Sequence, residues 1–196
     1  MPRWYLWEGG FLLRGRAQGA VPAHAHHAIQ IVIALDGCVA ICGGDGDWHE
    51  ARGVVVRPDA EHSFDCNGAF GVMVFVDPES SEGAWLSTPL QQDITIVPES
   101  RLDAIVPELR SFAEQPDDSA DIAALVRRCI QGLRPGLAPT RRLDSRVTTV
   151  IEAIRASDEL RMSLDQAADK ACLSSTRFAH LFKDQVGLPF SRYMLW

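Results

Sequence analysis

Lysine is nearly absent: Lys170 and Lys183 are the only two among 19 basic residues, against 26 acidic ones, for a formal net charge of −7. That balance excludes a uniformly basic nucleic-acid coat but leaves room for a local basic patch. No apolar run approaches the roughly 20 residues of a membrane span. The opening MPRWYLWEGG lacks the apolar stretch and small-residue cleavage site of an export signal, so a cytoplasmic location is expected. The five cysteines, at 38, 42, 66, 129 and 172, are odd in number and without framework spacing, which fits reduced thiols. Internal repeats and low-complexity tracts are also missing. What is there is 196 residues, 46% hydrophobic, enough to bury a core without a disulfide or metal staple. Length alone allows one large domain or two small ones.

The first 78 residues read as β-structure. Ala28–Leu35 is a continuous apolar run ended by the turn signal Asp36-Gly37. Val39–Cys42, Arg52–Arg57, His62–Cys66 and Ala69–Val76 follow as short strands, and Ile94–Val97 adds a late one. Turns at this spacing suggest a sandwich or a barrel. After Asp77-Pro78 the periodicity becomes helical. Arg101–Glu114 carries Leu102, Ile105, Val106, Leu109 and Phe112 on one face, with Pro107 inside the window, so that helix is kinked there or begins near it. Asp121–Leu133 places Ile122, Leu125, Val126, Cys129, Ile130 and Leu133 on one face. The Pro/Gly stretch Arg134–Pro139 is the candidate domain boundary.

The remainder is helical. Leu143–Ala156 has one apolar side. Ser163 with Gln166 matches a capping box opening a short helix from Leu164. Ser174 can cap a second helix, Ser175–Val186, and Gly187 suits the left-handed position after its end. Two short helices about a tight turn are the skeleton of a helix-turn-helix, whose outward face would carry Ser175, Thr176, Arg177, Ala179, His180 and Lys183. Thr and His can meet base edges; Arg and Lys can meet phosphate or guanine. An ordinary hairpin with a solvated polar face fits the same spacing.

The run from Ser163-Leu164-Asp165-Gln166 through Leu173-Ser174, Phe178, Leu181-Phe182-Lys183, Gly187 and Pro189-Phe190 resembles the first helix-turn-helix of the AraC/XylS family of bacterial transcription regulators. The resemblance implies promoter DNA as a partner, with Thr176, Ala179, His180 and Lys183 facing the groove and Arg177 beside them. It implies a second helix-turn-helix beyond a long connecting helix; Ser191–Trp196 resembles the start of that helix, and independent operator binding is expected to be weak. The N-terminal part resembles a cupin, an effector domain common in that family, through His24-Ala25-His26, Gln30, Gly37, Gly53, Pro58 and His62. Metal-binding cupins place Glu where this chain has Gln30, and a Gly where it has Ala60. The expected fold class is therefore α+β: a cupin β-barrel over 1–98 that binds effector, a helical dimerisation hairpin over 99–134, and a partial AraC-type DNA-binding domain over 141–196.

Residues two apart on a strand share a face, so His24 and His26 can point into one barrel, with Gln30 in phase and His62 arriving from another strand. Three imidazoles and an amide oxygen can hold Zn²⁺, Ni²⁺, Fe²⁺ or Mn²⁺ with an open position. The same four side chains can instead line a metal-free pocket for a small organic effector. His27 and His49 read as surface residues. Trp4, Trp7, Trp48 and Phe64 can line the mouth or fill a core. Arg14, Arg16, Arg52 and Arg57 can pair an anionic effector or form surface salt bridges. Cys38, Cys42 and Cys66 can form a sensor, though buried thiols are commoner. The resemblance implies a homodimer through Ile122, Leu125, Cys129 and Leu133, with packing on the barrel as the other use of that face. The functional expectation is a ligand-responsive regulator and not an enzyme. The alternative is a metal-dependent cupin dioxygenase or isomerase.

Overall fold

The computed structural model describes residues 2–7, 9–16, 18–44, 46–87, 92–114, 121–134, 143–157, 162–187 and 189–195. The chain divides into two compact units, 1–139 and 140–196. Past Arg134, the proline/glycine stretch between them lies outside the described residues.

The first unit holds two antiparallel sheets. One has six strands in the order β1 (Arg3–Trp7), β2 (Gly10–Arg16), β9 (Phe70–Val76), β4 (Ile29–Ala34), β7 (Gly53–Val56) and β10 (Ile94–Ile96). The other has four, in the order β3 (Ala20–His24), β8 (His62–Asp65), β5 (Val39–Cys42) and β6 (Trp48–Ala51). Strand β4 is apolar except at Gln30, because both of its faces are covered. Ile29, Ile31, Ile33 and Leu35 pack with Val72, Val74 and Val76 against helices. Val32 and Ala34 point the other way and meet Val39, Ile41 and Phe64 of the second sheet in a shared core.

Three helices pack against the first of these faces. α1 (Ser81–Ser87) contributes Trp85 and Leu86, α2 (Glu99–Glu114) contributes Leu102, Ile105 and Leu109, and α3 (Ile122–Leu133) contributes Leu125, Val126 and Ile130. α2 starts well before Pro107, which sits inside it on the exposed side. α2 and α3 approach so closely that a Cβ on Gly132 would lie 2.1 Å from Ile105 Cγ2.

The second unit is built from α4 (Ser145–Arg155), α5 (Leu164–Lys170), α6 (Ser175–Val186) and the one-turn α7 (Phe190–Tyr193). Both halves of the Ser163/Gln166 capping box form, and Ser174 caps α6. Cys172 turns the chain at φ +53, and Gly187 closes α6 at φ +94. Phe178, Phe182, Phe190 and Tyr193 interlock at centroid distances of 5.2–5.5 Å over Val147, Val150 and Ala167.

Candidate functional site

At one end of the space between the sheets, His24 pairs across the β3–β8 ladder with His62. His26 lies just beyond β3, and Gln30 comes from β4. The ring centroids of His24 and His62 are 4.3 Å apart, those of His26 and His62 5.2 Å. One ligand atom from each of the three imidazoles lies within 4.8 Å of the others. Gln30 and His62 are buried, at 2% and 1% exposure, whereas His24 and His26 are half-buried and keep the site open.

The hydrogen bonds orient these rings. Nδ1 of His24 is 2.9 Å from the Pro22 carbonyl, Nδ1 of His26 3.1 Å from that of Ala28, and Nδ1 of His62 2.9 Å from that of Ala60. A carbonyl can only accept, so each Nδ1 donates. In the neutral rings that leaves every Nε2 with its lone pair. Burial, with His24 and His26 alongside, holds His62 below the ordinary imidazole pKa, although the Ala60 carbonyl acts in the opposite direction. Gln30 Oε1 then stands 2.8 Å from His26 Nε2 and 3.1 Å from His62 Nε2, acceptor against acceptor. A cation between them would relieve this contact. So would turning the Gln30 amide over, which would aim its N–H₂ at both rings and give up its present 3.6 Å contact with Met73 Sδ. The donor set thus fits a divalent transition metal, with backbone carbonyls in the outer positions that orient ligating histidines.

The interior beyond Met73 is apolar. A shallow cleft, partly open to solvent, is lined by Leu13, Val32, Ala34, Val39, Cys66 and Met73.

His27 departs from the sequence reading. It is 4% exposed and not a surface residue. Nδ1 bonds Asp59 at 2.9 Å and Nε2 bonds Glu79 at 3.2 Å. The Asp59 backbone N–H also reaches the His26 carbonyl at 2.8 Å, so the loop before His62 is tied to the loop carrying His26. Burial drives Glu79 up to about 7, despite the opposing bond from His27. Burial lowers His27, but Glu79 and Asp59 outweigh it and the net shift is upward. Sequence reasoning missed this network because its partners lie 32 and 52 residues away; four consecutive positions with only one alanine among three histidines were its sole local signal.

The other candidates fall as follows. His49 is exposed. Phe64 is core, Trp7 packs on the helix side, and Trp4 and Trp48 are exposed. Arg16 pairs with Asp36, Arg52 with Glu99 and Arg57 with Asp93, while Arg14 bonds the Ala113 carbonyl. Cys38, Cys42 and Cys66 are free thiols. The four dimerisation candidates do not face outward. Ile122, Leu125 and Cys129 are buried in the chain's own core, and Leu133 packs against it. The face expected to meet a second subunit is used within the first unit. In the second unit, Thr176, Arg177, His180 and Lys183 are exposed on α6, and Ala179 is half-buried beside them.

This is a mixed fold: antiparallel sheets with helices on one face, followed by a separate helical unit with a capped two-helix turn. No family model matches the chain, and no curated protein does. Solved structures do. The AraC-like transcriptional activator CuxR superposes with a TM-score of 0.50 at 11% identity, over 99% of this chain and 77% of its own. ToxT from Vibrio cholerae gives 0.36 at 10% identity, over 94% of this chain and 95% of its own. An RmlC-like cupin from Shewanella frigidimarina gives 0.29 at 17% identity, over 35% of this chain and 64% of its own. The likeness to CuxR is one of fold. Among the described residues, no helix is long and apolar enough to cross a membrane.

Proposed function

We propose that this chain is a ligand-responsive transcription regulator of the AraC type. A small effector, or a divalent transition metal, is sensed at His24, His26, Gln30 and His62 in a cupin-type unit, and the signal reaches a helix-turn-helix that meets promoter DNA. The observation that carries this reading is the α5–α6 pair, two helices capped by Ser163 and Ser174 about a tight turn. The second of them exposes Thr176, His180 and Lys183 at helical spacing, with Arg177 alongside. The chain with its imidazole site adds a reason for responsiveness, since a signal must bind two states with different affinity to shift them. When bound, a metal supplies an open coordination position for an effector's lone pairs; the residues named hold it and set its access.

The test is selection of fragments from a genomic DNA pool by the full chain, with and without added Ni²⁺, followed by sequencing. Enrichment of discrete sites that responds to the metal or disappears in Lys183→Ala supports the reading. Recovery no different from the input pool sinks it. The converging imidazoles also favour a second reading, a metal-dependent cupin enzyme. Elemental analysis separates the two kinds of site: metal far below one equivalent ends the enzyme and leaves an organic effector.

A further inference from the structure

The first unit exposes apolar side chains on the sheet that carries Gln30. Leu6 is 80% exposed and Trp4 64%. The strand register shows where they sit: Leu6 pairs with Phe11, Phe11 with Phe75, and Phe75 with Gln30. Directly paired residues share a sheet face, so Leu6, Phe11, Phe75 and Gln30 form one row across four strands that ends at the imidazoles. Strand spacing of about 4.8 Å makes the row roughly 14 Å long. The rings along it touch in sequence: Trp4 to Phe11 at 5.5 Å, Phe11 stacked on Phe75 at 4.4 Å, and Phe75 edge-on to His26 at 5.3 Å. An apolar shelf continuous with a polar cluster is a surface for a ligand with two unlike ends.

The polar end can be specified as well. Three imidazoles and an amide bring no negative charge, unlike the carboxylate-containing donor set of the resembled motif. A divalent ion held there keeps its full charge and favours anionic oxygen ligands. The shelf favours a flat ring, which gains both buried area and edge or face contacts with Phe75 and Phe11.

We propose that Phe75 and Phe11 form a subsite for the aromatic ring of an acid whose carboxylate and neighbouring oxygen are held at His24, His26, Gln30 and His62. This rests on the reading of those four residues as the sensing site.

The probes are mandelate and lactate, which share a 2-hydroxy-carboxylate head and differ by a ring against a methyl group. Both are titrated calorimetrically into the full chain loaded with Ni²⁺. Mandelate is expected to bind about tenfold more tightly. Phe75→Leu, an exchange of one apolar side chain for another, and Phe11→Ala should each narrow that gap while leaving Ni²⁺ and lactate binding unchanged. Equal affinities, failure of both acids to bind, or a gap untouched by either substitution overturns the subsite. So does a dimer that Leu6→Ser converts to a monomer in sedimentation velocity, since the shelf would then be an interface between copies. Should the chain take up no Ni²⁺ yet still prefer mandelate through Phe11, the metal reading falls and the subsite stands. Normal Ni²⁺ uptake without ring preference has the opposite meaning.

Discussion

A buried carboxyl group with an oxygen lacking a hydrogen-bond partner has reason to hold a proton, and Glu79 is such a group. Its side chain is 3% exposed, and Oε2 has no hydrogen-bond partner among the described residues. Burial raises its pKa from 4.5 to about 7. Between those values the folded chain keeps a proton that the unfolded chain has lost. Stability from this group is therefore full below about 4.5 and lost as pH rises through about 7. His27, raised by the same contact, acts in the same direction; His62, lowered by burial, opposes it. Asp36 and Asp144, both lowered, titrate below this window. Replacing Glu79 isolates its part. Wild type should lose on the order of 2 kcal/mol more stability than Glu79→Gln between pH 5 and pH 8, read from urea midpoints at each pH. Parallel pH profiles would show that Glu79 titrates normally. At this scale the sequence was half legible. His24, His26 and Gln30 lie in phase along the sequence, and the resemblance to the cupin motif adds His62 from another strand. Glu79 and His27 meet only through tertiary packing, which no local pattern encodes.

Elements were legible where both the period and the punctuation were strong. Strand β4 reads as an apolar run because the second sheet covers one face and the helices cover the other. α6 reads residue for residue because Ser174 and Gly187 mark its ends chemically. Strands β1 and β2 gave no clear alternation, since β1 leaves Trp4 and Leu6 open on one side while Tyr5 and Trp7 pack on the other. β3 contains Pro22, most of β6 is exposed, and α1 spans only 7 residues, too few for a helical period. The capping box makes a direct prediction: Ser163→Ala removes a bond to the Gln166 N–H and should destabilise the second unit by about 1 kcal/mol. The α2–α3 contact makes a less obvious one. Helix propensity favours Gly132→Ala by about 1 kcal/mol. The added methyl, however, would meet buried, stiff Ile105 at 2.1 Å. Overpacking of this kind costs about 1–3 kcal/mol, so the variant should unfold at lower urea with an unchanged slope. A stabilised variant would mean that α2 and α3 can part freely.

At the scale of the whole molecule, the shortage of lysine and the net charge of −7 conceal a division. Residues 1–140 carry 10 basic and 19 acidic residues, a balance of −9, whereas 141–196 carry 9 and 7, a balance of +2, including both lysines. The boundary in charge falls at the boundary between the compact units. The acidic unit repels phosphate, so any DNA affinity must come from the few cations of the second unit and should be weak and steeply salt-sensitive. Arg177 and Lys183 are exposed on α6, while Arg146 in the same unit is already bonded to Asp144. Neutralising either exposed cation should lower the slope of log K against log salt by about 1, whereas Arg146→Ala should change it much less. Fluorescence anisotropy of the full chain on a selected DNA fragment, over a salt series, measures all three slopes. An equal loss for Arg146→Ala would place the phosphates along α4 and not along α6.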